Sequence, residues 1–461
     1  MYMDSIWNYI SETMRSEVYW DELFVGEEME GEYPELADAL LAMNEQRRAD
    51  MEALSGELTE LAEEMDGEVE WVTSLYGSFD YFVQRADSKV LSVRSDSTVY
   101  WGGMHEEYGT AGVNLSPETG MEIALGDVLV NRDALLEMIA QRIDEIRPEV
   151  YREDVLNALK GLADEEFEWT LGYEGVTFYF NPYVIPEAVG RLIVMFTYDE
   201  VRELMNPEYR PDVIGSAYAV KVPWFEQIPF ELDPLSSELD SLMLTAVMGE
   251  YEAYEQIRIE VNGEAYEEET FAYNLEAYLV VTGVGVGQKC FLYLEAVSEN
   301  DYTRLVVYDL NGEAPVKVGE LEATGLAGGW YYEAEVFDDP TEFELDTRLE
   351  ILGTRTGVRT YTIGEHTGMP MPKTDYFEIS DNGYPMTSLI DLKVRMLDTN
   401  AEETIPAGTE FYEIRTDGES YVDFRLNDGR ECRIEVDTDG YPDTIDGIPE
   451  DECFEGIMYA G

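Results

Sequence analysis

The stretch Gln84–Val128, QRADSKVLSVRSDSTVYWGGMHEEYGTAGVNLSPETGMEIALGDV, decides how this chain reads. It opens on alternating apolar and polar residues, the period of a strand with one buried face. A glycine and aromatic loop follows, holding His105, one of only two histidines, and the chain then returns as a second strand. Ser116-Pro117-Glu118-Thr119-Gly120 supplies a turn.

Working outward, Glu68–Trp101 keeps the period of two, which predicts antiparallel strands with tight turns at Tyr76-Gly77 and Ala86-Asp87-Ser88. Upstream, Tyr33-Pro34 opens the clearest helical segment, with proline suited to the first turn. Leu36, Leu40, Met43, Met51, Leu54, Leu58, Leu61 and Met65 make one apolar stripe in which Arg47 fills a gap. Gly56 is expected to bend or break this helix. Downstream, Asn131 suits the cap of a second helix carrying Leu135, Leu136, Ile139 and Ile143 on one face, ended by Pro148. Asp154–Ala163 reads as a short helix and FEWTLGYEGVTFYFNPYVIP as a hairpin turning at Glu174-Gly175. Ala188–Phe196 reads as a strand and Asp199–Met205 as a helical turn.

The expected fold class is therefore an α+β N-terminal domain, residues 1–215, with an antiparallel sheet and flanking helices, followed by mostly all-β domains. Pro207, Pro211, Pro223, Pro229 and Pro234 fall close together and mark 216–244 as a proline-rich linker. Beyond it strands predominate: AYLVVTG, KCFLYLEAV, RLVVYDLNG, WYYEAEVF, RLEILGT and RTYTIG. Residues 245–386 read as an all-β domain, a sandwich or propeller-like blades, and 387–461 as a small SH3-like β-barrel.

The 461 residues include 100 acidic against 29 Lys plus Arg, a formal net charge of -71. Such a surface repels phosphate backbones, so nucleic acid and anionic membranes are poor partners, while basic proteins and divalent cations fit. The same charge also serves solubility without any partner. The opening MYMDSIWNYISETM has neither the basic nor the apolar region of a signal peptide, and no run reaches the ~18 apolar residues of a spanning helix. Membrane attachment is expected only through a lipid anchor outside this sequence. Cys290, Cys432 and Cys453 form no CxxC pattern. Cys432 and Cys453 share the terminal segment and would be the pair to cross-link, or else stay reduced and packed.

His105-Glu106-Glu107 combines an imidazole with carboxylates, a pattern for general base or metal chemistry that an ordinary exposed loop also produces. Trp101, Met104, Tyr108 and Tyr183 are the binding candidates, since exposed loop aromatics anchor interfaces better than a lone imidazole. Asp437, Asp439, Asp443 and Asp446 place hard oxygen ligands in one loop, as a calcium site requires, although EF-hand spacing is absent and turns use the same residues. No other cofactor is expected. The glycines of Thr282–Gln288, TGVGVGQ, precede a strand rather than a helix, which reads as a hairpin and not a phosphate cradle.

Three pieces, RADSKVLSV, YWGGMHEEYGTAGVNLSPETGMEIALGDVL and FYFNPYVIPEAVG, together resemble a domain of unknown function found in bacterial cell-surface proteins. That domain also occurs in the extracytoplasmic part of lysozyme-sensing anti-sigma factors of the RsiV type. The resemblance spans roughly residues 30–205. It implies an exported α+β binding domain, extracellular or on the cell surface, in its best-understood relatives a receptor for lysozyme; with the aromatic loops and the acidic surface, the expected partner is a basic protein such as lysozyme or a cell-wall glycan. Two alternatives stay open: an enzyme using Asp and Glu on cell-wall or dietary polysaccharide, and a structural spacer.

Overall fold

The computed structural model describes residues 1–26, 29–67, 73–185, 190–212, 216–236, 238–249, 251, 253–285, 287–298, 302–326, 336–364, 366–379 and 384–459. An α+β N-terminal region with a sheet and flanking helices precedes a succession of β-sheets, the class the sequence predicts. The first sheet holds β1 (Tyr2–Tyr9), β2 (Met14–Glu22), β3 (Thr73–Ala86), β4 (Leu91–Tyr100) and β5 (Glu107–Leu115), side by side in that order. Three of its pairings are antiparallel, but β2 and β3 run parallel, with Met14 beside Thr73. A parallel neighbour must start again from the same end of the sheet. The helix α1 (Pro34–Met65) makes that crossover.

One stripe of α1 packs on the sheet, where Met51, Leu58 and Ala62 meet Met14, Val18, Trp20 and Leu75. Each large side chain buried in this way contributes about 1.5–3 kcal/mol. Arg47 fills the gap in the stripe by laying its guanidinium over Phe79 and Tyr81, 5.1 and 5.5 Å from the ring centres. The helix runs unbroken through Gly56, which faces open space and so costs only about 1 kcal/mol of propensity. The expected turn at Tyr76-Gly77 is also absent, because β3 passes straight through it. A Cβ on Gly77 would lie 2.7 Å from Leu54 Cδ2, so this glycine admits the helix to the sheet rather than reversing the chain. The turn after β3 does form, and the Asp87 carboxylate accepts the Lys89 and Val90 N–H groups at 2.8 and 2.9 Å.

A second small layer follows: α2 (Leu125–Val128), α3 (Arg132–Ile146), α4 (Arg152–Gly161) and the three-stranded sheet of β6 (Glu168–Leu171), β7 (Gly175–Phe180) and β8 (Leu192–Thr197). Asn131 caps α3 by accepting the Ala134 N–H at 3.2 Å. Leu135, Leu136, Ile139 and Ile143 then pack with Val155, Leu159, Phe178 and Phe196. Of the strand expected over Ala188–Phe196, residues 188–189 lie outside the described residues. Asp199–Met205 runs as consecutive turns, the Met205 N–H closing on the Val201 carbonyl at 2.9 Å as in the helical turn expected there.

The expected linker is a correction. It contains β9 (Ala217–Lys221), β10 (Gln227–Phe230) and the start of β11 (Asp240–Met248), each paired in a sheet. β10 is an edge strand, so Pro229 within it removes no ladder donor. β11 continues into β12 (Tyr254–Val261) and β13 (Glu264–Ala272), giving a four-stranded sheet. The next strands are β14 (Asn274–Thr282), β15 (Lys289–Val297), β16 (Thr303–Asp309) and β17 (Val316–Leu321), which form a five-stranded sheet ordered β17-β16-β15-β14-β9. The two sheets face each other across Tyr218, Leu244, Ile257, Ile259, Leu279, Leu292 and Leu294, which makes a sandwich rather than propeller blades. The TGVGVGQ run joins β14 to β15, whose ends pair at Thr282 and Lys289.

The remaining strands are β18 (Thr324–Leu326), β19 (Phe343–Glu350), β20 (Thr354–Ile363), β21 (Pro370–Pro372), β22 (Phe377–Ile379), β23 (Met386–Ser388), β24 (Leu392–Met396), β25 (Glu402–Ile405), β26 (Glu410–Thr416), β27 (Tyr421–Leu426), β28 (Glu431–Glu435), β29 (Thr444–Ile445), β30 (Ile448–Pro449) and β31 (Phe454–Glu455), with α5 (Glu450–Cys453) between the last two. Most of the expected strand WYYEAEVF lies outside the described residues. Phe343, Leu345 and Tyr361 cover the second face of the five-stranded sheet at Phe291, Tyr293 and Val307, so β15 is buried almost throughout. β20 pairs with β22 and β22 with β26, so hydrogen bonding runs across the boundary expected at residue 387. Cys290, Cys432 and Cys453 are buried free thiols. Among the described residues no helix is long and apolar enough to cross a membrane.

Candidate functional site

Strand alternation sends every second side chain of the first sheet away from α1. The register then lines these residues up across strands. Trp7 stands beside Glu17, Glu17 beside Tyr76, and Tyr76 beside Tyr100. The next rung is Ser5, Tyr19, Ser78, Thr98 and Tyr108. The result is a ladder of aromatic rings and hydroxyls interleaved with carboxylates. Trp7 is 58% exposed, Tyr9 76% and Tyr108 45%.

The rings hold one another in place. Trp7 meets Tyr19 edge-on at 5.2 Å, and Tyr76 lies 5.7 Å from Tyr100. Glu17 accepts the Tyr19 hydroxyl at 2.9 Å and the Ser74 hydroxyl at 2.6 Å, while Tyr76 donates to Glu106 at 3.0 Å. Burial, then Glu106, pushes the Tyr76 phenol up to about 12; burial and Glu17 raise Tyr19 as well. Both hydroxyls therefore stay protonated donors, which keeps these carboxylates oriented while the sheet surface stays open to a partner.

One residue expected as a binder joins this face. Tyr108 belongs to its second rung, with the Arg191 guanidinium 5.9 Å from its ring, whereas Trp101, one residue on from Tyr100, turns to the α1 side, where it packs against the helix-side core and donates its indole N–H to Glu107 at 3.2 Å. Met104, 99% exposed, and His105 project from the loop between β4 and β5. Tyr183 stands apart from the ladder, 94% exposed, on a loop that Asn181 fastens to the backbone of Thr110 through two 2.8 Å bonds. Sequence reading passed over Trp7, Tyr9, Tyr19, Tyr76 and Tyr100. The period of two was the available signal, but it could not say that five strands share one face.

The far end of this face is closed. Arg94, buried, donates to Asp96 at 2.8 Å and pairs with Glu226 from the β9–β10 connection; Arg191 reaches the same two carboxylates at 3.2 and 2.5 Å. Two guanidinium groups and two carboxylates cancel, which makes a lock between the sheet and the sandwich rather than a docking point. Nearby, burial pushes Asp21 up to about 6, while Lys221 Nζ donates to Glu276 at 2.8 Å. A cavity of about 80 Å³ adjoins the lock, lined in part by Arg94, Tyr173, Glu174, Tyr179, Tyr218 and Lys221. It is small against the roughly 300–1,000 Å³ of metabolite pockets.

The four aspartates expected to hold calcium are spread over turns and strand ends. Asp437 pairs through its backbone with Thr444 and its carboxylate accepts the Asp439 N–H at 3.1 Å. The Asp443 carboxylate accepts the Leu352 N–H at 2.9 Å, and that of Asp446 faces Lys393 at 3.9 Å. Among the described residues no group of three His, Cys, Asp or Glu side chains stands close enough to hold a metal. These aspartates are turn and strand-end residues.

No family model matches the chain, and no curated protein is significantly similar to it. Among solved structures it is similar to a DUF3298 family member from Bacteroides fragilis NCTC 9343, with 17% identity and a TM-score of 0.33 over 44% of this chain and 93% of that one. It is also similar to a DUF3298 family protein from Pseudomonas aeruginosa PAO1, with 15% identity and a TM-score of 0.32 over 45% of this chain and 94% of that one. Both neighbours belong to a bacterial family of domains of unknown function.

Proposed function

We propose that this is a binding protein of the bacterial cell surface, secreted or lipid-anchored, that engages a basic protein through the outer face of its N-terminal sheet. One observation carries the reading: exposed Trp7, Tyr9 and Tyr108 share a face with Tyr19, Tyr76 and Tyr100, and Glu17 and Glu106 lie among them. Aromatic side chains supply the anchoring area of protein interfaces. The carboxylates between them fit Lys and Arg, and the net charge of -71 speeds encounter with a cationic partner. The sequence resemblance to lysozyme-sensing receptors supports the same partner class.

The test is binding of immobilised protein to lysozyme over a salt series. Binding at low salt that weakens steeply with salt, and that Trp7→Ala with Tyr100→Ala abolishes, is the expected result. Absence of binding at low salt, or binding untouched by the double substitution, overturns it. A cell-wall glycan is the second reading, favoured by the hydroxyl-rich rung of Ser5, Tyr19, Ser78, Thr98 and Tyr108. Salt-insensitive capture of peptidoglycan fragments by the same face would replace the first reading with the second.

A further inference from the structure

Sheet edges present unpaired backbone groups, and proteins blunt them with charge, proline, bulges, shortness or a cover. Most edges of this molecule follow that rule. β5 is covered where Asn181 clamps Thr110, where Glu168 accepts the Gly112 N–H at 3.0 Å and where Ile123 N–H bonds Asn114. β10 carries Pro229, β13 carries Glu264, Glu267, Glu268 and Glu269, and β25 has only four residues, two of them Glu.

β1 breaks the rule. All eight of its residues pair with β2 in unbroken register from Tyr2–Glu22 to Tyr9–Arg15, with no proline, no lysine and a single charge, Asp4. Its outer backbone faces no other strand among the described residues. The N–H direction alternates along a strand. Ile10 N–H bonds Met14 in β2 at 3.1 Å, whereas Ser5 N–H turns to the adjacent Asp4 carboxylate at 2.8 Å. The N–H groups of Met3, Ser5, Trp7 and Tyr9 therefore point off the sheet, and their side chains lie on the aromatic face.

We infer that β1 accepts an extended, lysine- or arginine-bearing segment of a partner as a sixth strand of this sheet. The inference rests on the proposed binding role of the N-terminal sheet and specifies how the partner is held: backbone bonds to the β1 edge supply affinity, and alternate side chains supply specificity. Charge selects the occupant. On one face an added side chain meets Trp7 with Glu17 behind it; on the other it meets Asp4 below α1. Arg48 of α1 lies 3.8 Å from Asp4, and Ser55 accepts the Asn8 amide at 3.0 Å, so exposed Glu52, on the same helical stripe, overhangs β1. A second copy of the chain would bring another net charge of -71, which disfavours pairing of two β1 edges.

The experiment uses the full chain with two labelled peptides of equal length, one alternating lysine and valine, the other glutamate and valine. Fluorescence anisotropy is expected to show binding of the lysine peptide only. Hydrogen exchange should then slow at the amides of Met3, Ser5, Trp7 and Tyr9. Ser5→Pro removes an outward N–H without touching the β1–β2 ladder, and Ser5→Lys places a charge on the edge; each should weaken peptide binding by about tenfold or more. If the lysine peptide fails to bind while lysozyme still does, strand addition is wrong and the aromatic face stands; if neither binds, both readings fall. Peptide binding that protects only the Trp101–Tyr108 loop, or that is accompanied by dimerisation, also overturns strand addition.

Discussion

Glu295→Gln is predicted to stabilise the protein, increasingly so as the solution becomes alkaline. Glu295 on β15 is 8% exposed, and burial followed by the neighbouring Glu276 carboxylate pushes its carboxyl up from the ordinary 4.5 to about 8. The Leu326 N–H and Lys221 favour the ion but do not outweigh burial, and Asp346 opposes it further. Because the folded value lies above the unfolded one, the native chain keeps a proton that the unfolded chain has released. Stability therefore falls as pH rises from 4.5 to about 8, and is level above that window. At about 1.4 kcal/mol per pH unit, the whole window amounts to about 5 kcal/mol. Glutamine has no such titration and keeps an oxygen to accept the Leu326 N–H, now at 2.7 Å. Thermal melts of wild type and variant should nearly coincide at about pH 4.5 and separate by several degrees, in favour of the variant, at about pH 9. Melting curves with a pH-independent offset would refute the reasoning, since the carboxyl would then not hold its proton in the folded state.

Other outcomes follow from the same geometry. Gly112→Ala would place a Cβ 2.0 Å from the Trp169 carbonyl oxygen, where β5 and β6 meet, and should cost about 3 kcal/mol or more in thermal or denaturant unfolding. Trp7→Ala with Tyr100→Ala should cost about 2 kcal/mol or more of lysozyme binding by calorimetry, whereas Tyr183→Ala, off the ladder, should cost almost nothing. Calcium at millimolar levels should leave the melting temperature unchanged, and Asp439→Asn should not alter that result. Burial pushes the Cys432 and Cys453 thiols up to about 12 and 11, so both should resist thiol reagents at neutral pH until the chain unfolds.

Local signals were legible where one element satisfied its own needs. Pro34 and Asn131 start the helices they were expected to start, and the stripes of α1 and α3 face the cores the spacing implied. Glycine and proline misled wherever their reason was a distant contact. Gly77 looked like a turn because its neighbour α1, two dozen residues away in sequence at Leu54, is invisible to local reading. The prolines near residue 229 looked like a linker because the sequence does not show which strands lie on an edge. Composition likewise does not reveal that the Asp437 and Asp443 carboxylates accept the N–H groups of Asp439 and Leu352.

By itself, then, the sequence determined the α+β beginning, the β-rich remainder, the extreme acidity and the hairpins, because periodicity, caps and charge are properties of neighbouring residues. Tertiary structure alone decided that β2 and β3 run parallel around α1, that Trp7, Glu17, Tyr76 and Tyr100 form one rung, and that β1 has no strand beyond it among the described residues. Strand pairing joins residues tens of positions apart, and a shift of one residue would turn every ring of the ladder to the opposite face. The face that carries the proposed function exists only once that register is set.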